Sequence, residues 1–378
     1  MKVYLDHAST TKTSKEALEQ MNNCFCSNYG NANSSHYAGR RAVADVDEAR
    51  EQIAKIIGAK PNEVFFTSGG TEADNWAIKG VWLANLGKKN KLVISAEEHS
   101  AIMESAKTLS GLGVDVVYVY PDKDGIVHPE DVKKAIDENT FLVSVMYVNN
   151  ETGATNDIRK IASVCRESGV LFHSDCVQAT CTKRLDVNDL GVDLMTISAH
   201  KIGGPKGIGL LYVKDGVRIH SLIEGGSQES GLRGGTTNVQ SVVGFSVAMQ
   251  KNQREFDRRV KRITELRDYF ETKLLESGLD IVINGKNRSP SISNVAFNGV
   301  LATVLLTRLD MLGIAVSAGS ACTAGSIDAS HVLLAMGLGE THAKSSLRFS
   351  YGEENTFEEL DYVVDCLKTV CNELQKKN

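Results

Sequence analysis

Up to about Asn252 the chain alternates between two hydrophobic rhythms. Short runs rich in β-branched and aromatic residues recur at Glu63–Thr67, Lys91–Ser95, Val114–Tyr120, Phe141–Val148, Val170–Ser174, Leu194–Ser198 and Gly207–Val213. Several are apolar nearly throughout, as in Phe141-Leu-Val-Ser-Val-Met-Tyr-Val148, which is how a strand covered on both faces looks. Amphipathic stretches of helical period lie between them, at Ala42–Ile57, Glu72–Leu86, Pro129–Glu138 and Ile158–Ser168. The alternation predicts an α/β domain built around a mainly parallel sheet.

Beyond Asn252 the rhythm changes. A long charged helix is predicted over Asn252–Ser277, followed by Ile281-Val-Ile283, a β-rich Ile292–Phe297 and a helical Leu301–Leu312. The last helix is predicted from Phe357 to Gln375, with Thr356 and Glu359 as its capping box. Leu360, Val363, Val364, Leu367, Val370, Cys371 and Leu374 form its apolar stripe, so Cys371 reads as core. This half reads as a smaller α/β domain on the first.

Composition narrows the function classes. The 378 residues are enough for two domains. A net charge of −5 gives no electrostatic case for nucleic acid or an anionic membrane. The densest basic stretch, Arg254 to Arg267, also carries Glu255, Asp257 and Glu265 and reads as a solvated helix face. No stretch reaches the roughly 18 apolar residues of a membrane span. The opening lacks the apolar run of an export signal, so a cytoplasmic setting with reduced cysteines is expected. The eight cysteines contain no C-x-x-C pair of zinc spacing. Cys24-x-Cys26 comes closest and reads as two small apolar residues near a helix end.

Candidate chemistry gathers at the ends of the predicted strands. In Ser198-Ala-His-Lys-Ile-Gly-Gly-Pro-Lys-Gly207, Lys201 stands where a strand gives way to an open, glycine-rich turn. A lysine that captures an aldehyde needs a desolvated place near other cations. Ser198 and His200 add groups able to bind a phosphate oxygen. Lys206 is the rival cation, but Gly-Pro-Lys-Gly reads more simply as a turn. Phe65-Phe-Thr-Ser-Gly-Gly-Thr-Glu72 joins a strand to a helix start, an anion site in which Gly70 and Thr71 offer donors. In Phe172-His-Ser-Asp-Cys-Val-Gln178, Asp175 closes an apolar strand. It either caps the next helix or pairs with a cationic ring nitrogen, with Gln178 beside the ring. His99 and Asn150 follow two further strand ends, His99 as a stacking proton carrier. The stretch Ala315-Val-Ser-Ala-Gly-Ser-Ala-Cys-Thr-Ala-Gly-Ser326 is too small-residued to pin itself into a core, so a mobile loop with a nucleophilic Cys322 is expected.

Together these blocks resemble the NifS/IscS-like cysteine desulfurases of the class V aminotransferase superfamily, from Leu5-Asp-His-Ala-Ser-Thr-Thr11 to Ser346-Leu-Arg-Phe-Ser350. The resemblance implies a PLP-dependent transferase fold (aspartate aminotransferase-like, fold type I). Its large domain would cover residues 15–255, and its small domain residues 1–14 and 256–378. It implies pyridoxal 5′-phosphate (PLP) on Lys201, held by Gly70, Thr71, Ser198 and His200. Asp175 and Gln178 would contact the ring, His99 would stack on it, and Asn150 would touch cofactor and substrate. Arg348 and Asn31 would bind the carboxylate of L-cysteine. Thr236 would reach the phosphate of the neighbouring subunit in a homodimer. Cys322 would carry the sulfur as a persulfide to an iron–sulfur scaffold or a tRNA thiolation enzyme. It could transiently ligate a cluster; no resident metal is expected. Ala32 and Asn33 depart from the family's N-P-S-S turn, and Cys176 stands where a small residue is usual. A class V aminotransferase or a selenocysteine lyase shares the fold and Lys201. A non-catalytic sulfur-trafficking or scaffold protein would lack cofactor and turnover.

Overall fold

The computed structural model describes residues 1–319 and 329–375. A seven-stranded sheet forms its centre. In chain order the strands of the molecule are β1 (Val3–Tyr4), β2 (Val64–Thr67), β3 (Lys91–Ser95), β4 (Asp115–Val119), β5 (Thr140–Ser144), β6 (Leu171–Asp175), β7 (Leu194–Ser198), β8 (Gly209–Val213), β9 (Ile281–Ile283), β10 (Ile292–Phe297), β11 (Ile314–Ala315) and β12 (Ser346–Ser350). The large sheet has the order β2-β8-β7-β6-β5-β3-β4. Its β4-β3-β5-β6-β7 part is parallel throughout. Helices Ser100–Gly111 and Ile158–Glu167 supply two of the crossovers that parallel strands require.

Between β7 and β8 the chain has no helix long enough to cross over, so β8 returns antiparallel. A second reversal, β8 to β2, restores the original direction. The C-terminal ends of β2, β3, β5, β6 and β7 therefore share one edge, where open α/β sheets hold ligands. Alternate strand residues feed opposite cores, which is why the runs are apolar throughout. Val93 and Val143 pack on one face, and Leu92, Ile94 and Leu142 on the other.

The second core gathers on the antiparallel sheet β12-β10-β9. Helices Phe256–Glu276 and Phe357–Gln375 cover it, with Phe270, Phe297, Phe349 and Leu367 inside. The short parallel pair β1·β11 ties the N-terminus to this core, burying Val3 and Leu5. The expected capping box is present: Glu359 N–H donates to Thr356 Oγ1 (3.2 Å) and Thr356 N–H to Glu359 Oε2 (3.1 Å). Cys371 is buried, as its place in the stripe predicts.

One prediction fails. The single helix over Asn252–Ser277 is two helices, Val239–Arg254 and Phe256–Glu276, broken at Glu255 (φ −100°, ψ 8°). The first packs on helices Lys15–Ser27 and Tyr37–Ile57; the second sends Ile263, Leu266, Phe270 and Leu274 into the other core. One straight helix would not serve both cores. Among the described residues no helix is long and apolar enough to cross a membrane.

Candidate functional site

A cavity of about 320 Å³ opens at the shared strand edge. Gly70, Thr71, His99, Asn150, Asp175, Gln178, Ser198, His200, Lys201 and Arg348 all stand in its wall. An adjoining hollow shares Gly70, Thr71, Ser198 and His200 and adds Ser68 and Lys206. The turn from β2 into helix Gly70–Ala84 requires Gly69, whose φ is +153°. A Cβ on Gly70 would come within 3.0 Å of Val177 Cγ2. No side chain caps this helix, so its first N–H groups remain for an anion. Ser198 Oγ is buried beside them without a partner. A buried hydroxyl in that state is costly unless a ligand oxygen completes it.

Lys201 sits in a short turn directly after β7. Its Nζ donates to Ser9 O (3.0 Å) and to Ala8 O. Burial, and then the Arg348 cation, push the ammonium down to about 8. The neighbouring His200 is pushed down to about 4 by burial and by Lys201 and Lys206, and its Nδ1 meets Thr10 Oγ1 at 3.1 Å. It is therefore neutral at physiological pH.

Asp175 ends β6, with Oδ1 accepting the Val177 N–H (2.8 Å). Burial raises its pKa, while His99 and Lys201 favour its anion. It does not cap a helix: the turn Ala179–Cys181 starts from Gln178, and no side chain caps it. Gln178 donates Nε2 to Ala8 O (2.7 Å). His99 caps helix Ser100–Gly111, its Nδ1 accepting from Ala101 N–H (3.2 Å), so the ring proton lies on Nε2. Burial lowers its pKa.

Arg348 lies in β12, 4% exposed. Nη1 donates to Asn150 O (2.8 Å), and Nη2 to Asp6 Oδ1 (2.9 Å) and Ser9 Oγ (2.7 Å); Nε is buried without a partner. Asp6 and Ser9 thus set the guanidinium, a role that their place in the sequence does not suggest. Asp74, buried in the cavity wall, and the buried acids Glu97, Glu98 and Glu151 carry no signature in the sequence either. Burial pushes Glu97 up to about 8 and Glu98 upward as well.

Two predicted residues do not enter the cavity. Asn31 is exposed, its Oδ1 accepting from Asn33 N–H (2.9 Å), and Thr236 is exposed too. Cys322 falls outside the described residues. Gly319 before it lies in the cavity wall. After it, Ser330 donates to Glu151 Oε2 (2.5 Å) and His331 Nε2 meets Glu98 O (3.0 Å). Burial raises the thiol pKa of Cys24, Cys165, Cys176, Cys181 and Cys371, which works against a nucleophilic role for any of them.

This set of groups fits PLP on physical grounds. An uncapped helix start and an orphaned hydroxyl suit its phosphate. A buried carboxylate suits its ring nitrogen, and a lysine of depressed pKa suits its aldehyde.

The sequence model of the Aminotransferase class-V family matches residues 3–363. The cysteine desulfurase IscS of Dictyoglomus turgidum is 42% identical over 99% of this chain and 95% of its own. The putative cysteine desulfurase IscS 1 of Bacillus subtilis is 41% identical over 97% of this chain and 99% of its own. A solved NifS-like protein superposes with a TM-score of 0.93 at 35% identity, covering 98% of this chain and all of the other. A solved structure of SspA in complex with cysteine gives a TM-score of 0.84 at 34% identity, over 94% of this chain and all of the other.

Proposed function

From the premise that this chain belongs to the aminotransferase class-V family, we propose the reaction of a PLP-dependent cysteine desulfurase, L-cysteine to L-alanine with the sulfur retained on the protein. The observation that carries this reading is the convergence of Lys201, Asp175 and Arg348 on one cavity: an amine, a buried anion and a guanidinium.

Bound PLP supplies an electron-accepting ring that stabilises negative charge at the substrate Cα. The protein's own groups do the rest. The start of helix Gly70–Ala84, with Thr71, Ser198 and His200, would hold the phosphate. Asp175 would keep a proton on the ring nitrogen, and Gln178 and Asn150 would orient the ring. Lys201 would hold the coenzyme, and as a free amine it would take the Cα proton. His99 would move a proton at the substrate through Nε2. Arg348, held by Asp6, would bind the substrate carboxylate. The thiolate of Cys322 would attack the substrate sulfur: the S–S bond forms as the Cβ–S bond breaks. The released electron pair is protonated on carbon to give alanine, so no outside oxidant is required.

Exposed Thr236 and Asn31 suit service at the partner subunit's cavity in a homodimer. The sulfur acceptor would be an iron–sulfur scaffold or a tRNA thiolation enzyme in the cytoplasm. The two cores suit a division into residues 15–255 and, together, 1–14 and 256–378. The test is turnover of L-cysteine by the coenzyme-loaded protein. Alanine should appear, Lys201→Ala should abolish it, and Cys322→Ala should keep the coenzyme's colour but lose sulfur transfer. Full transamination by Cys322→Ala with no desulfuration in the parent would favour an aminotransferase instead.

A further inference from the structure

Asp74 stands in the wall of the coenzyme cavity, and no step of the proposed mechanism uses it. It follows Gly70 by four residues and Thr71 by three, so helical geometry turns it toward the same side as the anion-binding start. Glu72, between them, pairs with Arg233 (2.8 Å). Asp74 is 1% exposed, and its Oδ1 has no hydrogen-bond partner.

The groups facing Asp74 offer it no cation. His173 Nε2 on β6 is 3.7 Å from Oδ1. That ring is fully buried, and both its nitrogens are engaged: Nδ1 with Ser144 Oγ (2.9 Å) and Nε2 with Thr196 Oγ1 (3.0 Å). Burial pushes His173 down to about 3, so it stays neutral. The Thr196 hydroxyl on β7 favours the Asp74 anion but carries no charge. The remaining ionisable neighbours, Asp175 on β6 and Glu98 after β3, are acids that act against an anion on Asp74. Asp175 is better provided, with the Val177 N–H and with His99 and Lys201 on its side. Two carboxylates in one dry wall do not both ionise cheaply.

We propose that Asp74 is a neutral carboxylic acid that reserves the cavity's negative charge for Asp175. The role rests on the PLP reading, but the charge state of Asp74 is testable without turnover. Neutral Asp74 is close in shape and charge to an asparagine, which makes Asp74→Asn the decisive variant. Ionising a buried acid whose pKa is raised costs stability, and the loss appears as pH rises.

The experiment uses the full chain, with and without added PLP, as parent, Asp74→Asn and Asp175→Asn. Without coenzyme, the infrared difference between parent and Asp74→Asn at neutral pH should contain the carbonyl band of a protonated carboxylic acid. The variant's melting temperature should gain on the parent's as pH rises. With coenzyme, Asp74→Asn should bind PLP within about twofold of the parent and keep its ring-protonation spectrum. Asp175→Asn should lose affinity by about tenfold or more and shift that spectrum. A carboxylate band at Asp74, or a loss of affinity in Asp74→Asn equal to that of Asp175→Asn, would overturn the proposal. A parent chain that binds no PLP would instead defeat the coenzyme reading and leave the infrared result standing.

Discussion

The depressed pKa of Lys201 has a consequence that can be worked through in numbers. An ordinary lysine titrates at 10.5, whereas burial and the Arg348 cation push Lys201 down to about 8. At pH 7 an ordinary lysine presents its amine unprotonated about once in 3,000, and one titrating near 8 about once in 10, a gain of about 300-fold in reactive amine. Covalent capture of the coenzyme's aldehyde needs that form. The perturbation is pH, applied to protein freed of coenzyme, and the assay is rapid-mixing absorbance of PLP capture between pH 6 and pH 10. The rate should climb about tenfold per pH unit below about 8 and level off above it. Arg348→Lys keeps a cation beside the amine, so the midpoint should barely move. A rate still climbing at pH 10 would refute the argument, as would the same profile in Lys201→Ala.

Other expectations rest on separate groups. Ser198→Ala removes a buried hydroxyl that has no partner without coenzyme, so the coenzyme-free protein should melt no lower than its parent. PLP affinity should fall by about 1–2 kcal/mol, read by equilibrium titration. Glu97 is fully buried and pushed up to about 8, so it is neutral at pH 7 and its contribution to stability is lost as pH rises toward about 8. Glu97→Gln should therefore gain on the parent in melting temperature as pH rises from about 4.5 to about 8, and keep that gain without adding to it at pH 9. Arg348→Lys keeps the charge but loses the planar fork, and kcat/KM for L-cysteine should fall about 10- to 100-fold with PLP binding retained. Cys176→Ala removes a buried thiol held protonated by its surroundings and should leave sulfur transfer intact.

The sheet was legible because each central strand is buried on both faces, and a continuous β-branched run has few other readings. The ligand edge was legible for the same reason: Lys201, Asp175, His99 and Gly70 all follow strand ends in the sequence and meet in space. The break at Glu255 was not, because charged residues of good helix propensity run straight through it. Only the diverging directions of two cores end the first helix there. The pairing of Asp6 with Arg348 was also hidden. It spans nearly the whole chain, and the β1·β11 pair that helps to tie down the N-terminal segment has two residues on each side, too short for any periodic signal. The burial of Asp74 was not legible either, since a buried acid has no signature of its own in sequence. Asn31 and Thr236 match family positions in sequence, but a single chain places both outside its own cavity.

The central claim is that sulfur leaves L-cysteine and lodges on one thiol of this chain. It is tested most directly by mixing the coenzyme-loaded protein with one equivalent of L-cysteine, counting the alanine released, and mapping every cysteine peptide by mass spectrometry without reductant. The account expects one alanine per sulfur retained, with the added sulfur on the peptide containing Cys322. Alanine released with the added sulfur on Cys24, Cys176 or Cys181 would contradict it, as would a Cys322 peptide of unchanged mass.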